Sequence, residues 1–166
     1  MLIGIGLMVA IGFSGVFTYG NLVNSGNTGN QDSQEINVSL PSENYIEESY
    51  ELSVQEQAYL AINNQAVFVN VLYEEENTNQ SQLRGIPGQF NNSVYINAVN
   101  MSESTFASGL GAEAPSALVI GDQPAQTQRG QIPYSIRESR ITEPEVVSTI
   151  CSAKRDVSSF GATCYS

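Results

Sequence analysis

The sequence predicts an α/β fold, a mixed sheet flanked by helices, preceded by one N-terminal membrane-spanning helix. Three observations carry this expectation. β-branched and aromatic runs recur at residues 66–73 (AVFVNVLY), 93–99 (SVYINAV) and 117–120 (ALVI), the composition of strands covered on both faces. Capping boxes, Ser53 with Glu56 and Thr142 with Glu145, mark helix starts before the first run and after the last. Residues 1–31 carry no charged side chain.

Within that uncharged stretch, residues 2–20 are mostly Leu, Ile, Val, Met, Phe and Gly. At about 1.5 Å per residue they make a helix just under ~30 Å long, the thickness of a hydrocarbon core. Gly6, Ala10, Ser14 and Thr18 recur every four residues, a small-residue face suited to self-association in lipid. A cleaved signal peptide is the competing reading, but the basic n-region and A-x-A-like exit it needs are missing. Residues 1–22 are therefore expected to be a membrane anchor. Orientation does not follow from flanking Lys or Arg, since none lies nearby. It follows instead from four N-x-[ST] sequons, at Asn37, Asn79, Asn91 and Asn100, and from the two cysteines, Cys151 and Cys164. Glycan acceptors and a short loop-closing disulfide both suit an extracytoplasmic, oxidising compartment.

Residues 23–50 are rich in Asn, Ser, Gly and Gln and read as a polar linker, with Ile36, Val38 and Leu40 alternating as a short first strand. The domain proper is expected over 51–153. Its first helix runs from Ser53 towards Asn64, with Val54, Ala58, Ala61 and Ile62 on one face. The strand at 66–73 follows, and then a polar stretch, 74–92, broken by Gly85, Pro87 and Gly88. After the second strand, residues 102–110 suit a short helix burying Phe106 and Leu110. Pro115 opens a third strand that ends at Gly121 and Asp122, with 125–130 expected back as its hairpin partner. The helix after Thr142 buries Val146, Val147 and Ile150, and 154–166 form a polar tail that the Cys151–Cys164 staple would pin down.

Composition narrows function. Seventeen acidic against six basic residues give a net charge of −11, unsuited to a nucleic-acid partner, whose phosphates require Lys and Arg. The chain contains no His and only two Cys, which removes the usual zinc and Ser-His-Asp sites. No metal or cofactor is expected; Glu74, Glu75 and Glu76 lack the spaced pattern of a calcium loop. With Lys154 the single lysine, the surface resembles that of proteins from salt-loving archaea, where screening relieves acidic self-repulsion.

The order of elements over 51–153 is similar to that of the thioredoxin-like family. AVFVNVLY stands where that family has its central strand, and SVYINAVNMSES where it has the next parallel strand and the turn into a helix. Ala114-Pro115-Ser116, followed by LVIG, stands at its cis-proline loop, and Gly130 at its glycine before the terminal helix. The resemblance implies a cis bond before Pro115 and a groove beside it that holds extended polypeptide. The departures are equally specific. Glu76 and Asn79 occupy the positions of the two redox cysteines, and Asn70 that of the buried acid which assists proton transfer. The implied domain has no redox thiol and is not an enzyme. It is expected to be membrane-anchored and extracytoplasmic, binding a protein or peptide in a chaperone-like way. A pilin-like subunit of a surface filament is the alternative, suggested by the apolar N-terminal helix, the sequons and the stapled C-terminus.

Overall fold

The structure is a computed structural model that describes residues 37–47, 50, 52–74, 79–101, 112–127 and 130–165. The expected membrane anchor, the strand residue Ile36 and the helix at 102–110 lie outside these residues. Among the described residues no helix is long and apolar enough to cross a membrane.

The elements in chain order are β1 (Tyr45–Ile46), α1 (Val54–Asn64), β2 (Val67–Tyr73), α2 (Asn79–Gln82), a 3-10 turn (Leu83–Gly85), α3 (Ile86–Gln89), β3 (Val94–Asn100), β4 (Ser116–Gly121), β5 (Ala125–Thr127), β6 (Gly130–Ile132), β7 (Ser135–Ser139), α4 (Glu143–Ala153) and a C-terminal 3-10 helix (Ser158–Cys164). Five strands make one mixed sheet in the order β1-β3-β2-β4-β7. β1, β3 and β2 run parallel, while β4 is antiparallel to both β2 and β7.

All seven residues of β2 are buried, so both faces of the sheet are covered. One face sends Val67, Val69, Val71, Val94, Ile96, Ala117 and Val119 into a core closed by Leu83, Ile86, Phe90, Val146, Ile150 and Phe160. On the other, Leu72, Val99 and Leu118 meet Val54 of α1, and Phe68 stacks on Tyr95 at 5.3 Å between ring centroids. Ser53 caps α1 as its spacing requires: its hydroxyl accepts from the Glu56 amide, and the Glu56 carboxylate accepts from the Ser53 amide at 2.7 Å. The second box does not close. Thr142 is the N-cap of α4 without a side-chain bond, and the Glu145 carboxylate is taken by the Arg140 guanidinium instead of reaching back to the cap.

Four expectations need correction. The first strand is Tyr45–Ile46 rather than the alternation at 36–40, and it lies within the stretch expected as linker. Its place is fixed by long-range bonds: Asn44 donates to the carbonyls of Asn92 and Val94 at 2.7 and 3.0 Å, and the Tyr50 hydroxyl to that of Ile96 at 2.9 Å. Burial pushes the Tyr50 phenol far above its ordinary range. Second, the stretch after Tyr73 is helical from Asn79 to Gln89, because Leu83, Ile86 and Phe90 make an apolar stripe and Pro87 falls in the first turn of α3, where its missing N–H costs nothing. Third, residues 125–130 do not pair with β4. Ala125–Thr127 instead pairs antiparallel with Gly130–Ile132 as a separate two-stranded sheet, and β7 takes the place beside β4. Fourth, Gly130, expected just before the terminal helix, opens β6 with φ +123°, and Arg140, Ile141 and Thr142 precede α4.

The tail is part of the core. Phe160 is 2% exposed and meets Phe90 edge-on at 4.9 Å. Lys154 turns inward, its Nζ donating to the Gln65 carbonyl at 2.9 Å and to Asp122 at 3.2 Å. Gly121 is required at the end of β4, since a Cβ there would run into the Ala153 carbonyl. The Cys151–Cys164 disulfide closes this region over a sequence separation of 13. Replacing both cysteines with serine is expected to cost about 3 kcal/mol through the larger freedom of the unfolded chain. Urea unfolding at constant m-value measures it; an unchanged midpoint would show that the tail docks equally well without the staple.

Candidate functional site

Two features stand apart from ordinary apolar packing: a groove at one end of the sheet, and a buried set of amides between the sheet and α1.

The groove begins at Pro115. The Ala114–Pro115 peptide is cis, and Pro115 itself is exposed at the head of β4. The register sets Ser116 against Leu72 and Ala117 against Ser139, so the end of β2, the start of β4 and the end of β7 meet at one rim. α4 starts four residues after Ser139 and completes the wall. The resulting open groove has a volume of about 490 Å³ and is lined by Pro115, Ser116, Glu138, Ser139, Arg140, Glu145, Ser148 and Thr149. Its floor is hydroxyl-rich. Thr149 donates back to the Glu145 carbonyl at 2.8 Å and Ser139 to that of Arg140 at 3.0 Å. The Ser116 hydroxyl is buried with no partner among the described residues. Arg140 donates to both carboxylate oxygens of Glu145, with Nε at 2.7 Å, and this pairing raises the already high guanidinium pKa. The wall therefore carries a neutralised ion pair, with the Glu138 carboxylate beside it.

The acidic run starts at the same rim. Glu74 is exposed directly after β2. Glu75 and Glu76 lie outside the described residues; Asn79 opens α2, and its side chain is not among those described. The chain's two cysteines are bonded to each other between α4 and the C-terminal 3-10 helix.

Asn70 is fully buried at the middle of β2. Gln57 of α1 and Asn70 exchange bonds through their amides, Asn70 Nδ2 to Gln57 Oε1 at 2.9 Å and Gln57 Nε2 to Asn70 Oδ1 at 3.3 Å. Asn97, opposite Asn70 in the parallel register, donates to the same Oδ1 at 3.0 Å. Gln57 also donates to the Leu52 carbonyl at 3.0 Å, and Asn97 Oδ1 has no partner among the described residues. Among the described residues no cation takes part. These neutral amides can position a helix on a sheet, but they cannot accept a proton near neutral pH.

Sequence reasoning named Pro115, Ser116 and Asn70 but missed the others. Gln57 and Asn97 carried a readable signal, being polar residues set into apolar faces, at i−3 from Leu60 and in the middle of YINA. Arg140, Glu145, Ser148 and Thr149 carried none, because only the β7–α4 turn brings them to Pro115. Of the sequons, Asn37 and Asn91 are exposed and Asn100 is half-buried. Comparison with protein families, curated proteins and solved structures finds no significant match to this chain.

The amide set predicts the effect of Asn70→Asp. A carboxyl in this cation-free interior has its folded pKa raised above the unfolded value of about 3.9. Its neutral form is favoured in the fold, so the variant is most stable below about pH 4 and loses stability as pH rises through the folded pKa. The expected loss at pH 7 is about 2–4 kcal/mol relative to the parent. Urea titrations between acid and neutral pH measure it; equal loss at all pH values would contradict a buried, uncompensated carboxylate.

Proposed function

We propose that this chain is a membrane-anchored, extracytoplasmic, thioredoxin-like domain without redox activity that binds extended polypeptide in the groove beside Pro115. The observation that carries the reading is the sheet order β1-β3-β2-β4-β7, three parallel strands followed by two antiparallel ones. In that order the head of β4 and the β7–α4 turn form one groove. Supporting it, the groove offers hydroxyls and strand-end backbone, groups that recognise a main chain rather than one particular side chain. The redox positions hold Glu76 and Asn79, the central strand holds Asn70, and both cysteines are occupied in the staple. Such a domain holds a chain but exchanges no disulfide with it.

The acidic surface bears on what is held. With a net charge of −11 over the full chain, the protein attracts cationic segments and repels acidic ones, an effect that fades with salt. The expected ligand is an unfolded, non-acidic chain.

One preparation tests both parts. Fluorescence anisotropy with a labelled, reduced and alkylated basic polypeptide is expected to report binding that weakens at least ~10-fold in Ser148→Trp, a loss of about 1.4 kcal/mol. Ser148 is exposed on the groove wall, so the variant fills the groove without entering the core. In the same preparation, insulin reduction by dithiothreitol should proceed no faster than with the reagent alone. Undiminished binding by Ser148→Trp overturns the groove, and accelerated insulin reduction overturns the redox-inactive assignment.

A further inference from the structure

We propose that Asn91 is an N-glycan acceptor of the folded domain and that Asn100, though also within a sequon, is not. The inference rests on the extracytoplasmic reading above, and the fold supplies the discrimination. Asn91 follows Phe90 in the turn between α3 and β3 and is exposed, as is Asn92. Both have left-handed backbones, φ 51° and 57°, a conformation that Asn tolerates better than most residues. The turn is tied below by the Asn92 amide to the Pro87 carbonyl at 2.9 Å and the Ser93 amide to that of Phe90 at 3.0 Å. The Asn91 carboxamide stays at the surface, with Nδ2 donating to the Ser159 carbonyl at 3.2 Å.

Glycan transfer is compatible with that contact. Nδ2 attacks the anomeric carbon of a lipid-phosphate-linked glycan; the N–C bond forms as the anomeric C–O bond breaks. The lipid phosphate leaves, and the nitrogen gives one proton to a base of the transferase. The product amide keeps one N–H, which can still reach Ser159. A bulky hydrated glycan then projects from the junction of α3 and the tail into solvent. Asn100 is differently placed. It is the last residue of β3, half-buried and opposite Tyr73 in the ladder, and the next amide, of Met101, donates to the Tyr73 carbonyl at 2.7 Å. A glycan there would have to displace packing around the end of β2.

The test is translation of the full chain into microsomes, counting endoglycosidase-sensitive gel steps and following protection from added protease. Asn91→Gln is expected to lose one step relative to the parent and Asn100→Gln none. Ser93→Ala removes the sequon while keeping Asn91 in its left-handed turn, and should lose the same step. A protease-protected chain whose step count is unchanged by Asn91→Gln and Ser93→Ala overturns this inference alone, as does a lost step in Asn100→Gln. A parent chain left open to protease overturns the extracytoplasmic reading and this inference with it.

Discussion

Burying β2 on both faces is the constraint from which the rest follows. Seven consecutive residues, VFVNVLY, are out of water, and each fully buried Val, Leu or Phe contributes roughly 1.5–3 kcal/mol relative to exposure. Neither face can be left open. α1 covers one side; α3, α4 and the tail cover the other. This explains why the tail is folded in: without Phe160 the Phe90 ring would lose its edge-on partner. It also explains the inward turn of Lys154, whose ammonium satisfies the free carbonyl at the left-handed end of α1.

In a strand buried on both faces a polar residue is costly unless its polar atoms find partners. Both polar atoms of the Asn70 amide are bonded, through Gln57 and Asn97, and this ties α1 to the centre of the sheet. The same demand bears on function. A titratable group at this position would need a charge partner, and the surrounding amides offer none.

Much of this was legible in the sequence, and the rest was hidden for identifiable reasons. The three long strands announced themselves because runs such as AVFVNVLY have no other stable use, and Ser53 with Glu56 set the start of α1. β1 was not legible: two residues have no periodicity, and their place comes from tertiary partners, the β3 ladder together with the Asn44 and Tyr50 bonds to distant backbone. The helical run from Asn79 to Gln89 was masked by Gly85, Pro87 and Gly88, although the 83, 86, 90 spacing of Leu, Ile and Phe was present. The place beside β4 was given to 125–130, and β7 went unread, because the β5–β6 hairpin intervenes, a choice made by tertiary pairing rather than by turn chemistry. The groove was half legible. Pro115 opens a strand and was visible as such, whereas its opposite wall comes from residues 138–149, polar positions with no motif.

The central claim is that the rim formed by the head of β4, the end of β7 and the start of α4 is where polypeptide is held. Amide hydrogen exchange of the full chain, with and without a reduced and alkylated basic polypeptide, tests it most directly. The account predicts added protection in peptides covering 115–117 and 138–149, with little change across the exposed β5–β6 hairpin. Protection confined to that hairpin, or to α1, would contradict it.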